Sequence, residues 1–468
     1  MSKNNLKFEF KNIWNSADKD LKSKIMDMGE DYKVYLNNAK TEREAVNEIV
    51  SRAKEKGFVD INEFISQNRS VEFGDKIYAV NRNKAVVLYV IGKELIENGV
   101  RIVGGHIDSP RLDLKPNPLY EKEEMALFKT HYYGGVKKYQ WVSRPLSLHG
   151  RIMKQNGEYI DIAIGENEND PVFFISDLLP HLSADQYKKT IGEGITGEGL
   201  NLLVGSIPSL DENEKEPFKA KILEILNTKY DITELDLITS ELEIVPAGKA
   251  RDLGFDRSLV LGYGQDDSAC SYSSMKAILD VENPRYTAVG MYMDKEEIGS
   301  MGNTGSESSY FENTLAELIN LQVGSYTELM IRRCLNNTKV LSADVTAAFD
   351  PNFPEVLDPL NASRINHGIG FCKYTGTRGK GGTNDANAEF FREVVDIFNE
   401  NDVIWHVGEL GKVDQGGGGT IAFILANRGA DVIDCGVPVL SMHGTFEVSA
   451  KADIYMAYKA YKVFFEAE

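Results

Sequence analysis

Met291-Tyr292-Met293 closes an apolar run that begins at Tyr286, and Asp294-Lys295-Glu296-Glu297-Ile298-Gly299 comes after it without a break. The run Tyr286-Thr287-Ala288-Val289-Gly290 and its continuation are β-branched, aromatic and apolar, which predicts a buried strand. Two adjacent carboxylates at its carboxyl end cannot both enter apolar core without a large desolvation cost. In extended chain neighbouring side chains face opposite ways. Glu296 and Glu297 are therefore expected to serve two ends of one site, one binding a cation and the other facing a reacting water. Taken alone, the pair reads equally well as a solvated turn.

The rest of the chain supplies the context. Two helices are expected between residues 16 and 56, broken near Asn38-Ala39-Lys40, and buried strands at 85–92 and 100–105. The second of these leads into His106-Ile107-Asp108-Ser109-Pro110. From 111 to 245 the pattern changes to prolines and short alternating runs, so this stretch reads as a β-rich domain inserted between a first part, 1–110, and a second part, 246–468. After 246 strands alternate with helices again. Helices are expected at 268–279, 309–322, 384–399, 420–427 and 449–465, and strands at 339–346, 403–408 and 432–436. This rhythm predicts an α/β fold, a mixed and mostly parallel sheet sandwiched by helices. In such sheets the sites lie at the carboxyl ends of the strands.

At 468 residues the chain is long enough for two domains. A formal net charge of -19 argues against nucleic acid or an anionic membrane surface as partner. No apolar run reaches bilayer length, and the start, Met1-Ser2-Lys3-Asn4-Asn5, carries no secretory signal. Cys270, Cys334, Cys372 and Cys435 are scattered, which fits small core residues in a reducing compartment better than a cysteine-ligated metal. A cytoplasmic enzyme or binding protein is the expectation.

The polar residues just past the expected strand ends carry the chemistry. They are His106 and Asp108, Glu296 and Glu297, Asp344 in Ser342-Ala343-Asp344, and His443 after Ser441-Met442. Asp266 and Asp267 open a helix. Together they make a nitrogen and oxygen ligand set suited to zinc, cobalt or manganese, and so many carboxylates would repel one another unless cations neutralised them. Each residue also has a plain reading. Either histidine alone is more often hydrogen-bonded than metal-bound, and Asp266 and Asp267 alone would be first-turn acids at a helix start. The run 414–420, Asp414-Gln415-Gly416-Gly417-Gly418-Gly419-Thr420, could cradle an anion but lacks the lysine-Ser/Thr ending of a phosphate loop.

His106-Ile107-Asp108-Ser109-Pro110, Asp266-Asp267-Ser268, Glu296-Glu297-Ile298-Gly299-Ser300, Ser342-Ala343-Asp344 and Ser441-Met442-His443 resemble, in order, the motifs of the M18 aminopeptidases. The likeness extends over nearly the whole chain, including Tyr133-Gly134-Gly135. It implies a zinc-peptidase-like catalytic domain with an inserted dimerisation domain. It also implies two divalent ions per subunit, most often zinc, bridged by Asp266. His106 and Asp344 would complete one ion and Glu297 and His443 the other, with the choice of Asp266 over Asp267 resting on motif register. Glu296 would be the general base and Asp108 the acid orienting His106. The resemblance puts Lys373, Gly417 and Gly418 beside the substrate. It also places a neighbouring subunit's histidine near the site, and the matching region here, 178–186, contains His181. A homo-oligomer, as large as a dodecamer, acting on peptides with a free N-terminus is the implied whole. The alternatives are a related two-metal deacylase or carboxypeptidase, and a peptide-binding scaffold without activity. The presence of every ligand and of the base argues against the scaffold.

Overall fold

The computed structural model describes residues 6–468; residues 1–5, where the absence of a secretory signal was expected, lie outside the described residues. The described chain separates into two compact units. One runs through Asp108 and continues as Ala250–Met442 and Glu447–Glu468; the other is Ser109–Lys249 with His443–Phe446.

The first unit is built on a nine-stranded sheet. Its strands are β1 (Val59–Asp60), β2 (Lys76–Asn81), β3 (Ala85–Val90), β4 (Val100–His106), β5 (Thr287–Met293), β6 (Lys339–Ser342), β7 (Ile369–Cys372), β8 (Trp405–Val407) and β9 (Asp431–Gly436). Across the sheet the order is β1-β2-β3-β5-β4-β6-β9-β7-β8. The four central strands β5, β4, β6 and β9 are parallel, while β3 and β7 join them antiparallel. Alternate residues feed two separate cores. Val86, Leu88, Val103, Leu341 and Ile433 enter one, and Val87, Tyr89, Ile102, Val340 and Val432 the other. Strands buried on both faces need apolar side chains at every position, which is why these read as continuous apolar runs.

Helices Lys19–Asn38, Glu42–Glu55, Gln265–Leu279 and Lys451–Glu466 cover one face through Tyr32, Ile49, Tyr272 and Tyr461. Helices Tyr310–Val323 and Glu328–Asn337 contribute Leu315, Leu318 and Ile331 to the other. The break between the first two helices is chemically specified. Thr41 and Glu44 form a reciprocal capping box, so the second helix starts there.

Three sequence expectations are corrected. The strand expected over 339–346 stops at Ser342, and Thr346–Ala347 instead joins a separate five-stranded sheet beside Pro438–Leu440. Asp344 occupies the break, and Gly436 permits it: a Cβ there would lie 1.6 Å from the Asp344 carbonyl oxygen. The helix expected from 384 begins at Ala388, because Ala386 N first bonds to Lys373 O at 2.9 Å. The helix expected over 449–465 is preceded by a strand, Glu447–Ala450, and spans Lys451–Glu466.

In the second unit six strands close into a ring. Glu241–Pro246, Arg111–Lys122, Met125–Tyr133, Leu202–Gly205, Phe173–Phe174 and Pro145–Met153 pair in turn, and the last pairs back with the first. Leu112, Phe128, Trp141, Leu148 and Ile244 fill it. Its helix Pro217–Tyr230 was not expected: Phe218, Ile222, Leu226 and Tyr230 lie half-buried against that core, too weak a stripe to stand out in the sequence.

Candidate active site

Register brings the site residues to one sheet edge. Met293 stands opposite His106, and Ser342 opposite Gly104, so β5, β4 and β6 end together. The segments that leave these strands emerge at the same edge. After β5 the chain does not stay extended. Lys295 takes a left-handed φ of 70° and Glu296–Ile298 forms a 3-10 turn. The expectation that Glu296 and Glu297 diverge by strand alternation is therefore corrected. Their separation comes from the turn, whose amide groups of Glu296 and Glu297 each donate to the Asp108 carboxylate at 3.1 Å.

His106 is the centre of the cluster and is 1% exposed. Its Nδ1–H donates to the Asp108 carbonyl oxygen at 2.9 Å, and the Asp108 carboxylate lies farther, at 3.4 Å. Since a carbonyl only accepts, Nδ1 carries a proton, and Nε2 faces the acids. Nε2 is 3.2 Å from Asp266 Oδ1, 3.9 Å from Asp344 Oδ1 and 4.0 Å from Glu296 Oε2. Donor atoms of His106, Asp266 and Glu297 all lie within 4.8 Å of one another, a spacing that can hold a metal ion.

Asp266 and Asp267 do not cap the helix whose first turn they occupy. Both have non-helical backbone angles, and the helix N-cap position is taken by Gly264. Asp267, fully buried, instead accepts the His106 amide at Oδ2, 3.2 Å. Gly105 makes room for it: a Cβ there would sit 2.2 Å from that oxygen and 2.5 Å from Ala343 O. The Asp266 amide donates to Glu447 Oε2 at 3.1 Å, and Ser271 Oγ to His106 O at 2.6 Å. Glu447, 1% exposed, was not among the residues expected from sequence. It stands in a short strand of mixed residues where no periodicity marks it.

The electrostatics fit a cation. Burial opposes a charged imidazole, yet Asp108, Asp266 and Glu296 outweigh it and raise His106 well above its ordinary value. Asp344 is driven well above the carboxylate range by burial; His106 relieves this and Asp266, Glu296 and Asp267 add to it. Asp267 is raised in the same way, first by burial. One imidazole among so many carboxylates leaves negative charge in surplus, and the nitrogen and oxygen donors present are those zinc takes.

The other expected residues lie elsewhere. Lys373 is exposed just past β7. Gly417, with φ +136°, packs so closely on residues 376–377 that a Cβ would be 2.1 Å from Gly376 O, and Gly376 N donates to Gly418 O at 2.8 Å. Loop-on-loop packing by itself accounts for these glycines. His181 is exposed in a 3-10 turn, Pro180–Leu182, of the second unit. His443 also belongs to that unit. Its φ is 60°, and its Nδ1–H donates to Gly135 O at 2.9 Å.

The profile of the family described as "Aminopeptidase I zinc metalloprotease (M18)" matches residues 35–465. A probable M18 family aminopeptidase 1 from Clostridium acetobutylicum is 50% identical over 461 residues, 98% of this chain and 99% of its own. The crystal structure of an M18 aminopeptidase from Thermotoga maritima superposes with a TM-score of 0.93 at 45% identity, over 98% of this chain and all of that one. The S. cerevisiae mApe1 dodecamer shares the fold, with a TM-score of 0.76 at 21% identity over 94% of this chain and 96% of that one. The chain belongs to the M18 aminopeptidases, a family of zinc metalloproteases. It is a hydrolase of peptide bonds, and its fold is that of its solved relatives.

Proposed function

We propose that the protein removes the N-terminal residue of peptides at a site holding two divalent ions, zinc in the first instance, with Glu296 as general base. The observation that carries this reading is the convergence of His106, Asp266 and Glu297 within 4.8 Å, with Glu296 beside them. His106, Asp266 and Asp344 would hold one ion and Asp266, Glu297 and His443 the other, Asp266 being shared. Bound there, the ions supply Lewis acidity for carbonyl polarisation and water activation.

The chain's own groups do the rest. Glu296 takes a proton from the attacking water and returns it to the departing amine. Asp108 aims that carboxylate by holding the Glu296 amide, and holds Nδ1–H of His106 through its own carbonyl, so the imidazole presents Nε2. We place Lys373, Gly417 and Gly418 along the substrate, and His181 as the candidate contribution of a neighbouring subunit. Substrates are peptides with a free N-terminus, without a nucleic acid or membrane partner. No described helix is long and apolar enough to cross a membrane. Four buried, unpaired cysteines suit the reducing cytoplasm.

A homo-oligomer, with a dodecamer as its largest form, is part of the same reading, with the second unit making the dimer contacts; a monomer with full activity in light scattering would remove it. The substrate claim is tested with an amino-acid p-nitroanilide against its amine-blocked counterpart. Cleavage confined to the free amine is expected, and equal cleavage of both overturns the aminopeptidase mechanism drawn here.

A further inference from the structure

The side-chain amide of Gln265 is fully buried and hydrogen-bonded on every side. Its Nε2 donates to Val260 O at 3.2 Å and to Glu447 O at 2.6 Å. Its Oε1 accepts the hydroxyls of Tyr32 at 3.2 Å and Ser449 at 2.5 Å. Main-chain carbonyls only accept, so the NH2 end must face Val260 and Glu447, and both lone pairs are left for the hydroxyls. A buried amide satisfied in this way has one direction open to it. It ties together the strand Leu259–Gly262, the strand Glu447–Ala450 paired with it, and the helix Lys19–Asn38.

The next residue is Asp266. The helix whose first turn it occupies does not hold it, since its φ is -86° and its ψ 103°. Its amide goes to Glu447 Oε2 at 3.1 Å. Glu447, 1% exposed, is thus gripped by two consecutive residues, at its carbonyl by the Gln265 side chain and at its carboxylate by the Asp266 main chain. These contacts close a ring through residues 265, 266 and 447. From that ring the Asp266 side chain reaches the cluster, Oδ1 standing 3.2 Å from His106 Nε2.

We propose that Gln265 is a positioning residue for the metal-binding cluster: it holds the main chain of Glu447, whose carboxylate holds the Asp266 amide, and so sets the Asp266 carboxylate against His106. This rests on the reading of Asp266 as a metal ligand.

The test compares Gln265→Met and Tyr32→Phe with the parent, each as the full chain. Zinc affinity is read by titration against a competing chelator, and melting temperature is measured on the zinc-free protein. Gln265→Met keeps the length of the side chain and removes its bonds, including the one to Glu447. Tyr32→Phe removes a bond to the same amide and leaves the Glu447 link in place. Both are expected to melt lower, because each leaves buried polar groups without partners. Only Gln265→Met is expected to bind zinc more weakly, by about tenfold. Parent-like zinc affinity in Gln265→Met overturns the proposal. Equal weakening in Tyr32→Phe overturns it too, since general loosening of the core would then account for the effect. Should Gln265→Met not fold, Gln265→Glu, which keeps the shape and loses the donors, decides on the same two criteria. Failure of the ligand reading registers separately, as parent-like zinc affinity in Asp266→Ala.

Discussion

The Asp267 carboxylate accepts the backbone amide of His106 at 3.2 Å, through space that exists because residue 105 is glycine. Gly105→Ala would press a methyl group to 2.2 Å from Asp267 Oδ2 and 2.5 Å from Ala343 O, one of them backbone. Overpacking of this kind costs roughly 1–3 kcal/mol. Urea unfolding is expected to show that loss together with weaker zinc retention, and a variant matching the parent in both would refute the close approach.

Glu296→Gln keeps the shape of the side chain and removes the proton acceptor. Turnover is expected to fall on the order of a thousandfold or more, about 4 kcal/mol of barrier. Zinc content, measured by elemental analysis, should stay at the parent level. Unchanged kcat would show that another group accepts the proton.

Asp108→Ala removes the acceptor for two amides at once, those of Glu296 and Glu297. Loss of such an outer partner typically weakens metal affinity about 10–100-fold. Titration with a competing chelator reads this directly, and parent-like affinity would deny Asp108 its anchoring role.

Chelation of the purified enzyme is expected to abolish activity and zinc to restore it. The melting temperature should change in parallel, because an ion bound only by the folded state at about 100 times its Kd adds roughly 2.7 kcal/mol. Activity that survives exhaustive chelation would end the metal-dependent mechanism.

A pH dependence arises from His406, which is 2% exposed. Its Nε2 accepts the Arg364 amide at 3.1 Å and its Nδ1–H donates to His367 O at 3.0 Å. Burial lowers it to about 4. The unfolded chain, with an ordinary imidazole near 6.5, takes up the proton first as pH falls. This group's contribution is therefore complete above about 6.5 and is lost as pH falls toward 4, by on the order of 3 kcal/mol. Denaturation curves from pH 7 to 4.5 should be shallower in pH dependence for His406→Gln, and an unchanged slope would show that other groups dominate.

The sheet was legible because its strands are buried on both faces and spell unbroken apolar runs, as at Ala85–Val90. The placement of His106, Glu297 and Asp344 was legible because parallel strands ending in step put the residues at and after their ends on one edge, whereas Asp266 arrives from a helix start outside that sheet. Local backbone was harder to read. The break at Asp344 depends on Gly436 from a distant strand, and the turn at Glu296 on Asp108, nearly two hundred residues away in sequence. Glu447 was invisible for a related reason: it is a single acid in a short strand, given meaning only by what crosses it in space.

Because Asp108 grips the imidazole through its main chain and both glutamate amides through its side chain, His106, Glu296 and Glu297 share a single point of suspension. A change at residue 108 would therefore shift all three groups together.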